Sequence, residues 1–262
     1  IARCYVTQQK AWRDKADAIL ICWMPGQEGG NSVADVLLGK VSPSGKLPTT
    51  FPINYDDVRS AKDFPRNVPE NGLNQSRFNI SEVGKTYDVK NIDYTNYEED
   101  IYVGYRDYAT RKVEVAYPFG YGLTYSQFEM SNMKVKECKE GYKVSCEVKN
   151  IGSFPAKQVV QLYSSELAPE VDRPTIELRG YKKTPLLQAG EKTVVEIVIK
   201  KSDLMTYNEK ANAWKLTKGD YELLLGFDSQ TLPLKHKINI SKEVLLPVST
   251  EMKPASGEIF IK

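Results

Sequence analysis

The sequence predicts an α/β segment followed by an all-β, immunoglobulin-like antiparallel sandwich, and three observations carry that reading. Ala18-Ile-Leu-Ile-Cys-Trp-Met24 is an unbroken apolar run of strand length leading into Pro25-Gly26 and Gly29-Gly30. Continuous apolarity suits a strand covered on both faces, as in a parallel sheet. After about Phe128 the pattern changes to short alternating segments separated by turn residues, the signature of a sandwich. The composition allows both parts: with 41% hydrophobic and 27% charged residues among 262, roughly 70% of the chain's surface can be buried without disulfides or metals.

Taken in order, the chain opens on Ile1-Ala2-Arg3-Cys4, with no initiator methionine and no basic-then-apolar leader pattern, as expected of a mature, proteolysed or sub-cloned piece. Behind the apolar run, Asn31 or Ser32 is expected to cap a short helix, Val33 to Leu38, that Gly39 ends. The glycine loop between strand and helix lacks both GxxxxGK[ST] and GxGxxG, and Glu28 would set a negative charge beside a phosphate, so a tight turn is the better reading. From Val41 to about Tyr97, prolines at 43, 48, 52, 65 and 69 and many Asn and Asp residues predict long loop. Glycosylation sequons stand at Asn74, Asn79 and Asn239.

The expected strands are Tyr142 to Lys149, Val159 to Ser164, Lys192 to Ile199, Asp220 to Gly226 and Leu232 to Ile240, with turns at Glu140-Gly141, Asn150-Ile151-Gly152, Ala189-Gly190 and Lys218-Gly219. Period-two alternation turns Val144, Cys146, Val148, Val160, Leu162, Val195, Ile197 and Leu223 inward. The domain division is therefore residues 1–127 and 128–243, with 244–262 as an extended tail lying on a domain. Tyr97 to Phe128, rich in aromatics and glycines, is expected to tether the two domains.

Scarce residues exclude much chemistry. A net charge of +2, not segregated between the halves, provides no basic face for nucleic acid. The single histidine, His236, leaves no HExxH pair and no zinc cluster; alternation places it with Leu234, Ile238 and Ile240, in a structural, inward or edge-packed role. Cys4, Cys22, Cys138 and Cys146 show no metal-like spacing, so no metal and no cofactor is expected. Cys22 and Cys146 read as small core residues, and all four as free thiols, which leaves the redox compartment open. No apolar run reaches the roughly 20 residues of a membrane helix.

The run Ala18 to Pro52, through Trp23-Met-Pro-Gly-Gln-Glu-Gly-Gly-Asn31 and Ser44-Gly-Lys-Leu-Pro-Thr-Thr-Phe-Pro52, resembles the end of the α/β sandwich domain of glycoside hydrolase family 3. Tyr97-Glu-Glu-Asp-Ile-Tyr-Val-Gly-Tyr-Arg106 and Tyr117-Pro-Phe-Gly-Tyr-Gly-Leu-Thr-Tyr-Ser-Gln-Phe128 match further strings of that family in the same order. Asp100 stands for the usual Gly and Ser42 for the usual Asn. Val148-Lys-Asn-Ile-Gly152, Val160-Gln-Leu-Tyr163, Glu177-Leu-Arg-Gly-Tyr181 and Ala189-Gly-Glu191 are similar to the fibronectin type III-like domain that closes many members. The resemblance makes the chain an α/β remnant followed by an immunoglobulin/fibronectin III-like sandwich.

It implies the C-terminal portion of a retaining β-glycosidase of β-glucosidase or β-xylosidase type. Retention needs two carboxyl groups about 5 to 5.5 Å apart. In the family the nucleophilic Asp lies on a (β/α)8 barrel of roughly 250 residues, for which this chain has no room, and the acid/base Glu lies before the segment matching Ile1. No catalytic residue is therefore expected here, and the chain alone should be inactive. Neighbours in Glu98-Glu99-Asp100 point to opposite faces and make a poor acid/base pair. Substrate-binding candidates are Glu28, on a strand-end loop of the kind that faces clefts, Trp23 and Tyr105 as sugar-stacking rings, and Arg3, which matches a family Gly-Arg-Pro string although Cys4 replaces the proline.

The implied partners are the chain's own barrel and the first part of its α/β domain, with an oligosaccharide or glycoside as substrate of the intact enzyme. A periplasmic or secreted location follows from the resemblance. Without the rest of that domain, the 18–24 strand should drive self-association or be covered by the segment between Val41 and Tyr97. The competing reading, a non-catalytic carbohydrate-binding or adhesion module, requires an exposed row of aromatics on the sandwich, whereas the alternating segments place polar residues outward.

Overall fold

The computed structural model describes residues 13–62, 98–170 and 172–248. Arg3, Cys4, Asn74 and Asn79 lie outside them.

The first segment holds little regular structure. After a single 3-10 turn at Arg13–Lys15, the glycine loop closes with a Gly29 N–H to Gly26 carbonyl bond of 3.3 Å, Gly26 having φ +74°. Helix α1, Gly29–Leu37, begins there, four residues before the expected start and with Glu28 rather than Asn31 or Ser32 as its cap. The cause is the turn, which delivers the chain already helical; the Asn31 amide instead donates to the Glu28 carboxylate at 2.7 Å. The helix ends as expected, with Gly39 in the left-handed region (φ +71°) donating to the Val36 carbonyl.

The apolar run before α1 corrects the sequence reading. Ala18 to Met24 forms no strand: Trp23 is 60% and Met24 97% exposed, and Cys22, expected in a core, is exposed as well. A strand exists only by pairing, and among the described residues no strand lies along this run to supply the ladder. Nor do residues 41–62 cover it. They form instead β1, Phe51–Pro52, which pairs antiparallel with β2, Val115–Tyr117. Between these strands, α2 spans Tyr105–Arg111 and stops at Lys112 in the left-handed region.

From Phe128 onward the chain is all β. Strands β3, Phe128–Cys138, β4, Gly141–Asn150, β5, Val159–Glu166, β6, Glu177–Lys183, and β7, Lys192–Lys200, are followed by β8, Thr206–Asn208, β9, Ala213–Leu216, β10, Gly219–Gly226, β11, Leu234–Ile240, and β12, Val244–Pro247. They form one sheet of order β3-β4-β7, a second of order β11-β10-β5-β6, and a small third of order β12-β9-β8, every pairing antiparallel. The core lies between the two larger sheets. All eight positions expected to face inward do so, with Val148, Val160, Leu162 and Leu223 fully buried.

Cys146 opposes Val195 in that core, and burial pushes its thiol up to about 11, away from reactivity. Cys138 pairs with Gly141 across a two-residue turn, Lys139-Glu140, one position earlier than expected. Both thiols are free. His236 follows the predicted alternation but is exposed, on the edge strand β11 between the half-buried Leu234 and the buried Ile238. Residues 249–262 of the tail lie outside the described residues.

Candidate functional site

Residues 98–127 lie between the first segment and the sandwich, and polar contacts to both gather along them. Gly120 donates its N–H to the Leu47 carbonyl at 2.8 Å, Leu47 donates to the Tyr121 carbonyl at 2.8 Å, and Ser229 donates to the Phe119 carbonyl at 2.9 Å. Three segments thus meet backbone to backbone. Gln161, buried on β5, joins them: its amide nitrogen donates to the carbonyls of Phe227 at 2.6 Å and Gly120 at 3.3 Å, and its oxygen accepts the Tyr163 hydroxyl at 2.6 Å. Burial raises the Tyr163 hydroxyl well above its usual range, which keeps it a donor. Gly120 has φ +82°, and a Cβ there would meet the Gln161 amide at 2.3 Å, so glycine is required on two grounds.

Lys46 enters the same junction. Its ammonium donates to the Gly122 carbonyl at 2.5 Å, and burial holds it down to about 8 against the opposing pull of Asp228. Phe119 and Tyr121 are half-buried here, consistent with the expected tether.

Helix α2 docks on the outer edge of β6. Leu178 N–H donates to the Tyr105 hydroxyl at 2.7 Å, and Thr175 N–H to the Thr110 hydroxyl at 3.1 Å. Behind this contact two buried carboxylates share one guanidinium: Arg173 bonds Glu166 through one nitrogen and Glu177 through the other, at 2.5 Å for the latter. Arg179 adds a second bond to Glu177 at 2.7 Å. Burial pushes the Glu177 carboxyl up, yet Arg179, Arg173 and Arg106 outweigh it and hold it below the usual carboxylate range. A general acid requires the opposite shift. The network is therefore built to hold charge in place, not to move protons.

A second cluster lines a shallow cleft of about 340 Å³ bounded by Asp56, Val58, Arg59, Ala61 and Arg111. Arg111 forks onto the buried Asp107 with bonds of 2.8 and 2.5 Å, and Arg59 stands 3.5 Å from the same carboxylate. Both cations are thus already engaged by protein. Among the described residues no group of His, Cys, Asp and Glu is arranged to hold a metal ion.

The residues singled out from sequence do not converge. Trp23 and Glu28 share the exposed glycine loop, Trp23 with an unusual φ of +49° and Glu28 bonded to Asn31. Tyr105 belongs to the junction instead, stacked on Phe119 at 4.8 Å and edge-on to Tyr163 at 5.8 Å. Glu99 carries a buried carboxylate oxygen without a partner, and Asp100 has φ +48°. Neither Arg173 nor Gln161 stands in a periodic pattern that marks a site: Arg173 sits in an irregular Pro-containing stretch, and Gln161 reads as one polar residue within an apolar strand.

Residues 3–125 match the family described as Glycosyl hydrolase family 3 C-terminal domain, and residues 158–229 the Fibronectin type III-like domain. Thermostable beta-glucosidase B of Acetivibrio thermocellus is 33% identical over 237 residues, covering 89% of this chain and 28% of that protein. Beta-glucosidase A of Butyrivibrio fibrisolvens is 34% identical over 267 residues, 93% of this chain and 29% of that protein. Among solved structures, beta-glucosidase 3B from Thermotoga neapolitana, in complex with α-D-glucose, superposes with a TM-score of 0.77 at 38% identity, over 91% of this chain and 30% of that one. The chain spans less than a third of the length of these relatives.

Proposed function

Because the chain belongs to glycosyl hydrolase family 3, we propose that it is the C-terminal portion of a retaining β-glycosidase, of β-glucosidase or β-xylosidase type, and that it does not hydrolyse glycosides alone. The observation that carries the proposal is the exposed apolar face of the first segment. Leu20, Trp23 and Met24 before α1, Leu37 and Leu38 at its end, and Val41 beyond it are all solvent-exposed. So much apolar surface on one short segment marks a contact surface. Its natural cover is the first part of the same α/β domain, carrying the acid/base, with the barrel that carries the nucleophile beyond it.

In that assembly the glycine loop presents Trp23 and Glu28 toward the joining surfaces, where a sugar would be held; Tyr105 serves the junction. The same relation to family 3 supports a periplasmic or secreted location. Mixing the purified chain with the separately produced barrel and first α/β part, then assaying chromogenic β-glucosides and β-xylosides, tests the proposal. Turnover is expected only from the mixture. Hydrolysis by the chain alone that survives re-purification and vanishes in Glu28→Gln or Glu99→Gln would overturn it, since it would place an essential carboxylate here.

A further inference from the structure

The small sheet β12-β9-β8 presents a feature that the junction and the apolar face of α1 do not use. Its register sets Tyr207 opposite Trp214 and Trp214 opposite Leu246, and directly opposed residues project from one face. The three side chains therefore form a row across the sheet. They are 41%, 49% and 47% exposed, although Leu216, on the same face of β9, is buried in the core. The row continues the core face of the sheet past the margin of the sandwich, and Leu216 anchors it.

The two rings stand 5.8 Å apart at 68°, one a floor and the other a wall. Their hairpin is braced by the Tyr207 hydroxyl donating to the Asn212 side-chain oxygen at 2.5 Å and by the Ala211 N–H donating to the Asn208 side-chain oxygen at 2.9 Å. The rings are thus held open to solvent by a locally fixed turn. On the opposite face of β9, Lys215 ties the sheet to Glu170 at 2.8 Å and to Glu243 at 2.9 Å.

We propose that Trp214 and Tyr207 form an accessory platform for a β-linked oligosaccharide, separate from any catalytic centre; the choice of ligand rests on the β-glycosidase reading. A β-linked pyranose with equatorial hydroxyls has flat C–H faces that stack on an aromatic floor while its hydroxyls point sideways. At the end of the same hairpin, the 209–212 turn carries Glu209 and Lys210, charged side chains of the kind that bond sugar hydroxyls. Size argues against a protein occupant. The row exposes about 300 Å², judged from side chains of this class, whereas a stable protein interface buries about 800 Å² on each partner.

Affinity electrophoresis of the full 262-residue chain through gels containing soluble β-glucan or xylan tests the platform, with a cello-oligosaccharide titration followed at the indole N–H resonances. The native chain should be retarded, and the Trp214 indole should shift as the oligosaccharide is added. Trp214→Ala should weaken binding by about tenfold or more, Tyr207→Ala should weaken it less, and Tyr181→Ala, an exposed tyrosine on β6, should leave it unchanged. The indole titration needs no variant, so it decides the matter even if Trp214→Ala fails to fold. No retardation, no shift at Trp214, or a concentration-dependent dimer abolished by Trp214→Ala would each overturn the platform. Aryl β-glucoside turnover by the reassembled enzyme separates the two readings. Turnover without glycan retardation sinks the platform alone, and retardation without turnover sinks the glycosidase reading alone.

Discussion

The sandwich and the segment before it contain apolar runs of similar strength, yet one buries them and the other does not. Val144, Cys146 and Val148 alternate into a core closed by Val195, Ile197 and Leu223 from the same chain. Ala18 to Met24 is more apolar still and lies open. The contrast teaches that hydrophobic pattern reports a demand for cover, and that only topology decides whether the cover is supplied by the same stretch of chain. In the sandwich every strand finds its partner within about 60 residues. In the first segment the partners are proposed to lie on another part of the enzyme.

The contrast is broken most forcefully from the sandwich side. Val148→Asp places an unpaired carboxylate in the core, at a cost of several kcal/mol against a typical total of about 5–15. Loss of the cooperative thermal transition by circular dichroism is expected, and a variant melting within a few degrees of the parent would refute the core assignment.

Next in size is Arg173→Ala, which takes the guanidinium from the buried Glu166 and leaves Glu177 with Arg179 and Arg106. Removing one partner from a buried ionic group costs about 3–5 kcal/mol, measurable by urea denaturation. Arg173→Lys should rescue only in part, because a single ammonium nitrogen lacks the planar fork whose separate nitrogens reach Glu166 and Glu177. The pH dependence follows from Glu177. Its carboxyl is held low in the folded state, so the stabilisation is present above the ordinary carboxylate range and disappears as pH falls through the lowered value. The native chain should therefore lose stability in acid more steeply than Arg173→Ala. Equal acid slopes would show that Arg173 does not hold Glu177 down.

Gln161→Leu is smaller, at about 1–3 kcal/mol for the carbonyls and hydroxyl it leaves unpaired. Its effect should concentrate at the junction. Amide exchange near Gly120 and Phe227 should speed up while the β4 amides stay protected, and uniform acceleration would deny that Gln161 acts locally. Smallest is Met24→Ser, expected to change stability by less than about 0.5 kcal/mol because nothing covers the side chain. It should lower light scattering from the concentrated chain if the exposed face drives self-association. A large loss of stability would mean that the face is covered after all.

The parts legible in sequence were those governed by short-range rules. Period-two alternation located five strands and all eight tested core positions, because in a sandwich the face of each residue follows from its neighbours. Strands β3, β6, β8, β9 and β12 of the sandwich are not among them: all but β9 are sheet edges, and edge strands such as Glu177–Lys183 carry too many charges to show alternation. The 18–24 run misled because continuous apolarity describes a strand only where ladder partners exist. Among site residues, Trp23 and Glu28 were visible through the glycine loop. The Arg173 network and the Tyr207–Trp214 row were not, since each arises from residues brought together across strands. Tyr105 is conspicuous in sequence for its ring, and the fold uses that ring against Phe119 and Tyr163 and its hydroxyl to accept from Leu178.

The junction at Gln161 also bears on where such a gene can be cut and rejoined. A recombination breakpoint at Phe128 would preserve every strand of the sandwich yet discard Gly120, Phe119 and Tyr105, the acceptors that Gln161, Ser229 and Leu178 require. Because those acceptors include two backbone carbonyls, a foreign linker could replace most of their side chains, provided a glycine stood at position 120. The portable cassette therefore begins before α2, and shuffling that respects strand boundaries alone would transmit a sandwich with its upstream face unfinished.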